Sequence, residues 1–154
     1  MKIEFGTIIE IKTSKGLAYA LYTHRHDEPP RYGALLRVFD KLYPSRPTDI
    51  RTIIKEPVQF SVFFPLQAAV NRGIVNVVGH TEIPENLRPF PVFRSGMIDP
   101  ISKEITAWWL WDGKKEWRIG ELTPEQRHFP IRAVWNDTML INKIENGWRP
   151  EEEQ

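Results

Sequence analysis

The chain has 154 residues, 41% of them hydrophobic and 27% charged, with a net charge of +1. That length can bury a real core, and so balanced a charge excludes a disordered chain or a general polyanion binder. The absence of cysteine excludes a disulfide scaffold, thiolate metal sites and a thiol nucleophile.

Glu4 and Glu10 interrupt the apolar N-terminal run, so no signal peptide is expected. No stretch approaches the roughly 18 apolar residues that a membrane helix needs. These features fit a cytoplasmic protein without a membrane partner. Residues 6–12 (GTIIEIK) read as a strand and are followed by a Ser14-Lys15-Gly16 turn. Residues 17–24 (LAYALYTH) form a second strand, with Leu17, Tyr19 and Leu21 on one face and Ala18, Ala20 and Tyr22 on the other. The small residues leave room for close packing. A polar, proline-containing connection leads to a third strand at 32–40 (YGALLRVFD), apolar on both faces except at Arg37 and therefore interior to a sheet.

Residues 42–56 are a loop with one short structured piece, and 58–64 (VQFSVFF) alternate as a strand. Pro65 then suits the first turn of a short helix, and Gly73 suits its stop. Another strand lies at 74–79, then an extended proline-rich connection through 91, then a short edge-strand candidate at 92–94. Near the C-terminus, Thr123-Pro124-Glu125-Gln126 has the form of a capping box with proline at the first helical position. Asn136-Asp137-Thr138 opens a second helix with Leu140, Ile141 and Ile144 along one stripe, and Gly147 closes it. Residues 151–154 read as a solvated acidic tail, and 1–150 as a single α+β domain, since no linker or internal repeat appears.

Between these segments lies TAWWLWDGKKEWRIGEL, residues 106–122, with four of the six tryptophans. Asp112-Gly113 between two aromatic, β-branched runs is a strong hairpin signal. For a loop of two or four residues, Trp108 and Leu110 share a face with Trp117 and Ile119. Trp109 and Trp111 share the other with Glu116 and Arg118. The first face reads as core. The second mixes aromatics with charges, so it lies under a helix, binds a partner, or both. Trp109 and Trp111 are the candidate partner anchors, with Glu116 and Arg118 at the rim.

Other chemistry ranks lower. His24, His26 and Asp27, joined by His80 or His128, could supply nitrogen and oxygen to a metal ion in a small hydrolase. Arg25 disfavours a cation there, and no third ligand is fixed by spacing. No metal, cofactor or catalytic set is therefore assigned. Asp99, Asp112 and Asp137 sit where turns and helix starts use aspartate for local hydrogen bonds. Lys114, Lys115 and Arg118 interleave with tryptophans as in a nucleic-acid module, but Glu116 and Glu121 dilute the charge, so nucleic acid is not the expected partner. Arg88, Arg94, Arg118, Arg127 and Arg132 are expected to brace loops by donating to carbonyls.

Three segments resemble the immunity protein 26 family of bacterial polymorphic toxin systems. They are Gly6-Thr7-Ile8-Ile9-Glu10-Ile11 followed by Gly16 to Ala20; residues 74–91, ending in proline and phenylalanine; and the aromatic hairpin closing with Trp117 to Gly120. The family commonly has Gly-Asp where this chain has Gly6-Thr7. The resemblance implies an α+β domain that binds and neutralises a toxin encoded beside it, without catalysis. Because immunity proteins against nucleases are often acidic and this chain is balanced, the toxin need not be a nuclease. The fold expected is α+β: a strongly curved, mainly antiparallel sheet or partly open β-barrel with two or three short helices. The oligomeric state is left open.

Overall fold

The computed structural model describes residues 2–153. The fold is α+β, its strands arranged in two antiparallel sheets that are curved and not closed into a barrel. The chain divides into two compact units, Met1–Pro89 with Ala133–Trp148, and Phe90–Arg132 with Arg149–Gln154.

The first unit holds strands β1 (Thr7–Thr13), β2 (Gly16–His26), β3 (Gly33–Phe39) and β4 (Val58–Phe64), helix α1 (Leu66–Asn71) and strand β5 (Asn76–His80). Their spatial order is β4-β3-β2-β1-β5, so the meander β1 to β4 is completed by β5 on the far side of β1. As the alternation predicts, Tyr19 and Leu21 join Ile8, Phe39, Ile53 and Leu87 in one buried cluster. Loop residues Tyr43, Ile50 and Ile83 pack around it. Across the sheet, Ala20 pairs with Ile9 and Ala18 with Ile11. The helix near the C-terminus, α2 (Asp137–Glu145), packs against β1. Its Leu140 and Ile144 are buried, each such side chain contributing about 1.5–3 kcal/mol. Asn136 caps α2 by accepting from the Met139 N–H at 2.8 Å, and Gly147 ends it with φ +62°. The free edge of β4 is met by residues 133–135, where Trp135 N donates to Phe63 O at 3.0 Å.

The second unit is a three-stranded sheet, β6 (Phe93–Ile98), β7 (Ile105–Trp111) and β8 (Glu116–Ile119), in that order. Strand β6 is longer than the three residues expected, because it pairs with the whole of β7 from Phe93↔Trp111 to Ile98↔Ile105. Thr123 and Gln126 do form a reciprocal cap, Thr123 N to Oε1 at 2.9 Å and Gln126 N to Oγ1 at 3.2 Å. The helix that this cap opens is only a 3-10 turn, Gln126–His128, since Pro130 stops it. Pro150–Glu152 form a 3-10 turn, and the main-chain carbonyls of Pro150 and Glu153 accept from Arg94.

Candidate protein-binding surface

The hairpin forms with the predicted sharing of faces, in the register Trp108↔Ile119, Trp109↔Arg118, Leu110↔Trp117 and Trp111↔Glu116. Asp112 organises the turn: its Oδ1 accepts from the N–H groups of Lys114 and Lys115 at 2.9 and 2.8 Å. Those two bonds hold its carboxyl below the ordinary value. Gly113, at φ +96°, takes a left-handed conformation that side chains resist, and an added Cβ would lie 2.9 Å from the Phe90 ring.

On the first face, Trp108 and Leu110 are buried as expected, but Trp117 is 39% exposed. Strand β8 is four residues long and ends the sheet, so little covers its side chains. Arg94 braces loops through their carbonyls as expected, but it does so with no exposure at all. Its guanidinium carbon stands 4.5 Å from the centre of the Trp108 ring. Its nitrogens donate to the carbonyls of Phe129, Arg127, Glu153 and Pro150. Burial lowers its pKa, while the carboxylates of Glu153 and Glu151 act in the opposite direction.

On the second face the anchors part company. Trp111 is 5% exposed. The rings of Phe90 and Phe93 lie 5.7 and 5.4 Å from it, and the Arg132 guanidinium lies 4.3 Å above it. Arg132 in turn donates to Glu116 at 2.7 Å. Trp111 therefore supports the surface from beneath, and within its unit aromatic rings and a guanidinium take the place of the helix that the sequence suggested. Trp109 is half-buried and Arg118 exposed, beside Met97 at 40%. At the same end of the sheet Ile98, the last residue of β6, is 65% exposed on the other face, and Ile101 in the β6–β7 turn is 93% exposed.

That turn is well ordered by hydrogen bonds. Asp99 Oδ1 accepts from the N–H groups of Ile101 and Ser102 at 2.7 and 3.0 Å, and Asp99 N donates to Glu104 O at 2.8 Å. Met97, Ile98 and Ile101 are residues that the sequence reading misses. Their signal was available: two isoleucines flank Asp-Pro in a turn, where polar residues are the rule.

The histidines meet protein partners. His24 bonds to Thr23 Oγ1 at 2.8 Å and Arg88 O at 2.7 Å. His26 bonds to Pro30 O at 3.0 Å, and Asp27 pairs with Arg25 at 2.7 Å. His80 bonds to Phe5 O at 2.8 Å, and His128 to Glu151. Among the described residues, no three His, Asp or Glu side chains are grouped to hold a metal ion. A cleft of about 270 Å³ lies beside Trp108, lined also by Thr106, Glu121, Leu122 and Arg127. No helix among the described residues is long and apolar enough to cross a membrane. No protein-family model, curated protein or solved structure matches this chain.

Proposed function

We propose that this chain is a non-enzymatic binding module that occludes and neutralises a cognate bacterial toxin. The observation that carries the reading is the exposed hydrocarbon at one end of the sheet, Met97 and Ile98 closing β6 and Ile101 in the turn that follows, exposed by 40, 65 and 93% around a turn fixed by its own hydrogen bonds. Clustered exposed hydrocarbon marks interaction surfaces, and a turn already ordered loses little entropy when a partner closes over it. Trp109 extends the apolar area, and Arg118 and the Arg132–Glu116 pair supply a polar rim. The resemblance to immunity proteins supplies the kind of partner.

The product of the reading frame beside this gene is the probe. Expressed alone it should arrest growth, and co-expression with this chain should restore growth and yield a co-purifying complex. The Ile98→Asp, Ile101→Asp double variant should keep the wild-type thermal midpoint and lose rescue. A harmless neighbour, or full rescue by the double variant, would overturn the reading.

A further inference from the structure

The outer edge of β8 is open and complementary to itself. Asp112 N bonds to Lys115 O across the hairpin, so by the alternation of antiparallel pairs Trp117 and Ile119 also direct their main-chain groups at β7. Glu116 and Arg118 direct theirs outward. The same alternation sends the main chain of Arg94 out from β6, where Arg94 N donates to Pro130 O and Arg94 O accepts from Arg132 N, both at 2.9 Å. Strand β6 is thus closed on its outer side. At β8, no described residue bonds to the N–H or C=O of Glu116 or Arg118, and residues 116 to 118 are all exposed.

We propose that two copies of this chain pair along β8, antiparallel about a two-fold axis at Trp117, through the edge that Glu116 and Arg118 leave open. In that register Glu116 of each copy lies opposite Arg118 of the other, and each such pair exchanges both of its N–H···O bonds. On the Trp109 side of the sheet each Glu116 carboxylate, which also accepts from Arg132 of its own copy, faces the Arg118 guanidinium of the other. On the opposite side the two Trp117 rings meet at the axis, where the 39% exposure of each is covered. Lys115 falls opposite Ile119 of the second copy, so no like charges lie directly opposed. Lysines usually guard an edge by repelling a copy of themselves; a Glu-Trp-Arg edge attracts one. The two three-stranded sheets become one continuous sheet, with isologous contacts.

This pairing stands apart from the toxin reading, because it is measured on the pure chain. Sedimentation equilibrium of the full chain should show reversible dimerisation. Arg118→Glu removes an exposed side chain without a bonded partner among the described residues, so it should leave the thermal midpoint unchanged and weaken self-association at least about tenfold. Glu116→Lys should weaken it similarly, and mixing the two variants should restore a heterodimer, since each then faces its complement. If Glu116→Lys fails to fold, Arg118→Glu and the salt sensitivity of the wild-type dimer still decide the matter. A wild type monomeric up to ~1 mM overturns the proposal and leaves the edge to a foreign strand. Full dimerisation by Arg118→Glu, or no heterodimer from two folded variants, overturns it as well.

Discussion

In the unit built on β1 to β5 the interior is mostly hydrocarbon: Ile8, Ile9, Ile11, Leu21, Leu35 and Leu36 have no exposure. In the unit built on β6 to β8 the largest fully buried side chain is an arginine, Arg94. Size accounts for the contrast. Strands β1 to β4, seven to eleven residues long, are buried over most of both faces. Three strands with irregular flanking segments leave carbonyls without ladder partners, and buried carbonyls must be satisfied. Arg94 answers four of them while stacking on Trp108, and Arg132 repeats the stacking over Trp111. The first unit also buries an arginine, Arg37, but on different terms. Its bonds to Thr23 Oγ1, Ser61 Oγ, Leu87 O and Pro89 O run from 3.1 to 3.5 Å, and burial pushes its pKa down to about 10.

Removing each guanidinium in turn tests that contrast most severely. Arg94→Met should destabilise by about 3–5 kcal/mol, since it leaves buried carbonyls unpaired. Hydrogen exchange should quicken chiefly over residues 90–132. Arg37→Met also leaves partners unpaired, but its bonds are longer and it relieves a desolvated cation, so the loss should be smaller, about 1–2 kcal/mol. Equal losses for the two variants, read by denaturant unfolding, would abolish the distinction between the units.

The same contrast explains what could be foreseen. Periodicity marked β1 to β4 because each long strand obeys one burial rule per face: Tyr19 and Leu21 went inward as alternation required. Capping residues marked α2, since Asn136 and Gly147 act through local geometry alone. Which hairpin residues share a face was legible for the same local reason. Burial in the smaller unit was not. Alternation puts Trp117 with Trp108, yet on a four-residue edge strand it stays 39% exposed. Trp111 looks like an exposed anchor beside Glu116 until Arg132, sixteen positions further on, closes over the pair. Nothing local in Arg94 says that it meets residues 127 to 153. The division of the chain was hidden similarly, because residues 133–148 belong with residues far earlier in sequence.

A smaller effect sharpens the comparison from the side of the larger unit, whose main buried carboxylate is Glu10, 2% exposed. Arg46 grips it with two bonds, Nε to Oε2 at 2.8 Å and Nη2 to Oε1 at 3.0 Å, and Tyr19 donates to Oε2 at 2.7 Å. The Arg46 hydrogen bond, ahead of the opposing cost of burial, holds the Glu10 pKa below its ordinary 4.5. Burial, and then the bond to Glu10, raise that of the Tyr19 hydroxyl. The folded state therefore binds fewer protons than the unfolded chain where Glu10 titrates. The stabilisation is complete above pH 4.5 and is lost as pH falls through the depressed value. Arg46→Ala should lower the thermal midpoint at neutral pH, and the gap from wild type should close as the solution is acidified. A gap that stays constant with pH would show that Arg46 acts by packing alone.

The smallest expected effect concerns α2, which belongs to the larger unit although it comes after the smaller one in sequence. Asn136 satisfies one of the four N–H groups that open this nine-residue helix. Asn136→Ala should cost about 1 kcal/mol and Asn136→Gly only a few tenths, because glycine leaves the end open to water. So short a helix has little stability of its own and depends on burying Leu140 and Ile144. The loss should therefore appear as faster exchange in α2 together with β1, against which it packs. Faster exchange spread equally over residues 90–132 would mean that the two units share one cooperative transition, and the difference in their interiors would then have no separate thermodynamic expression.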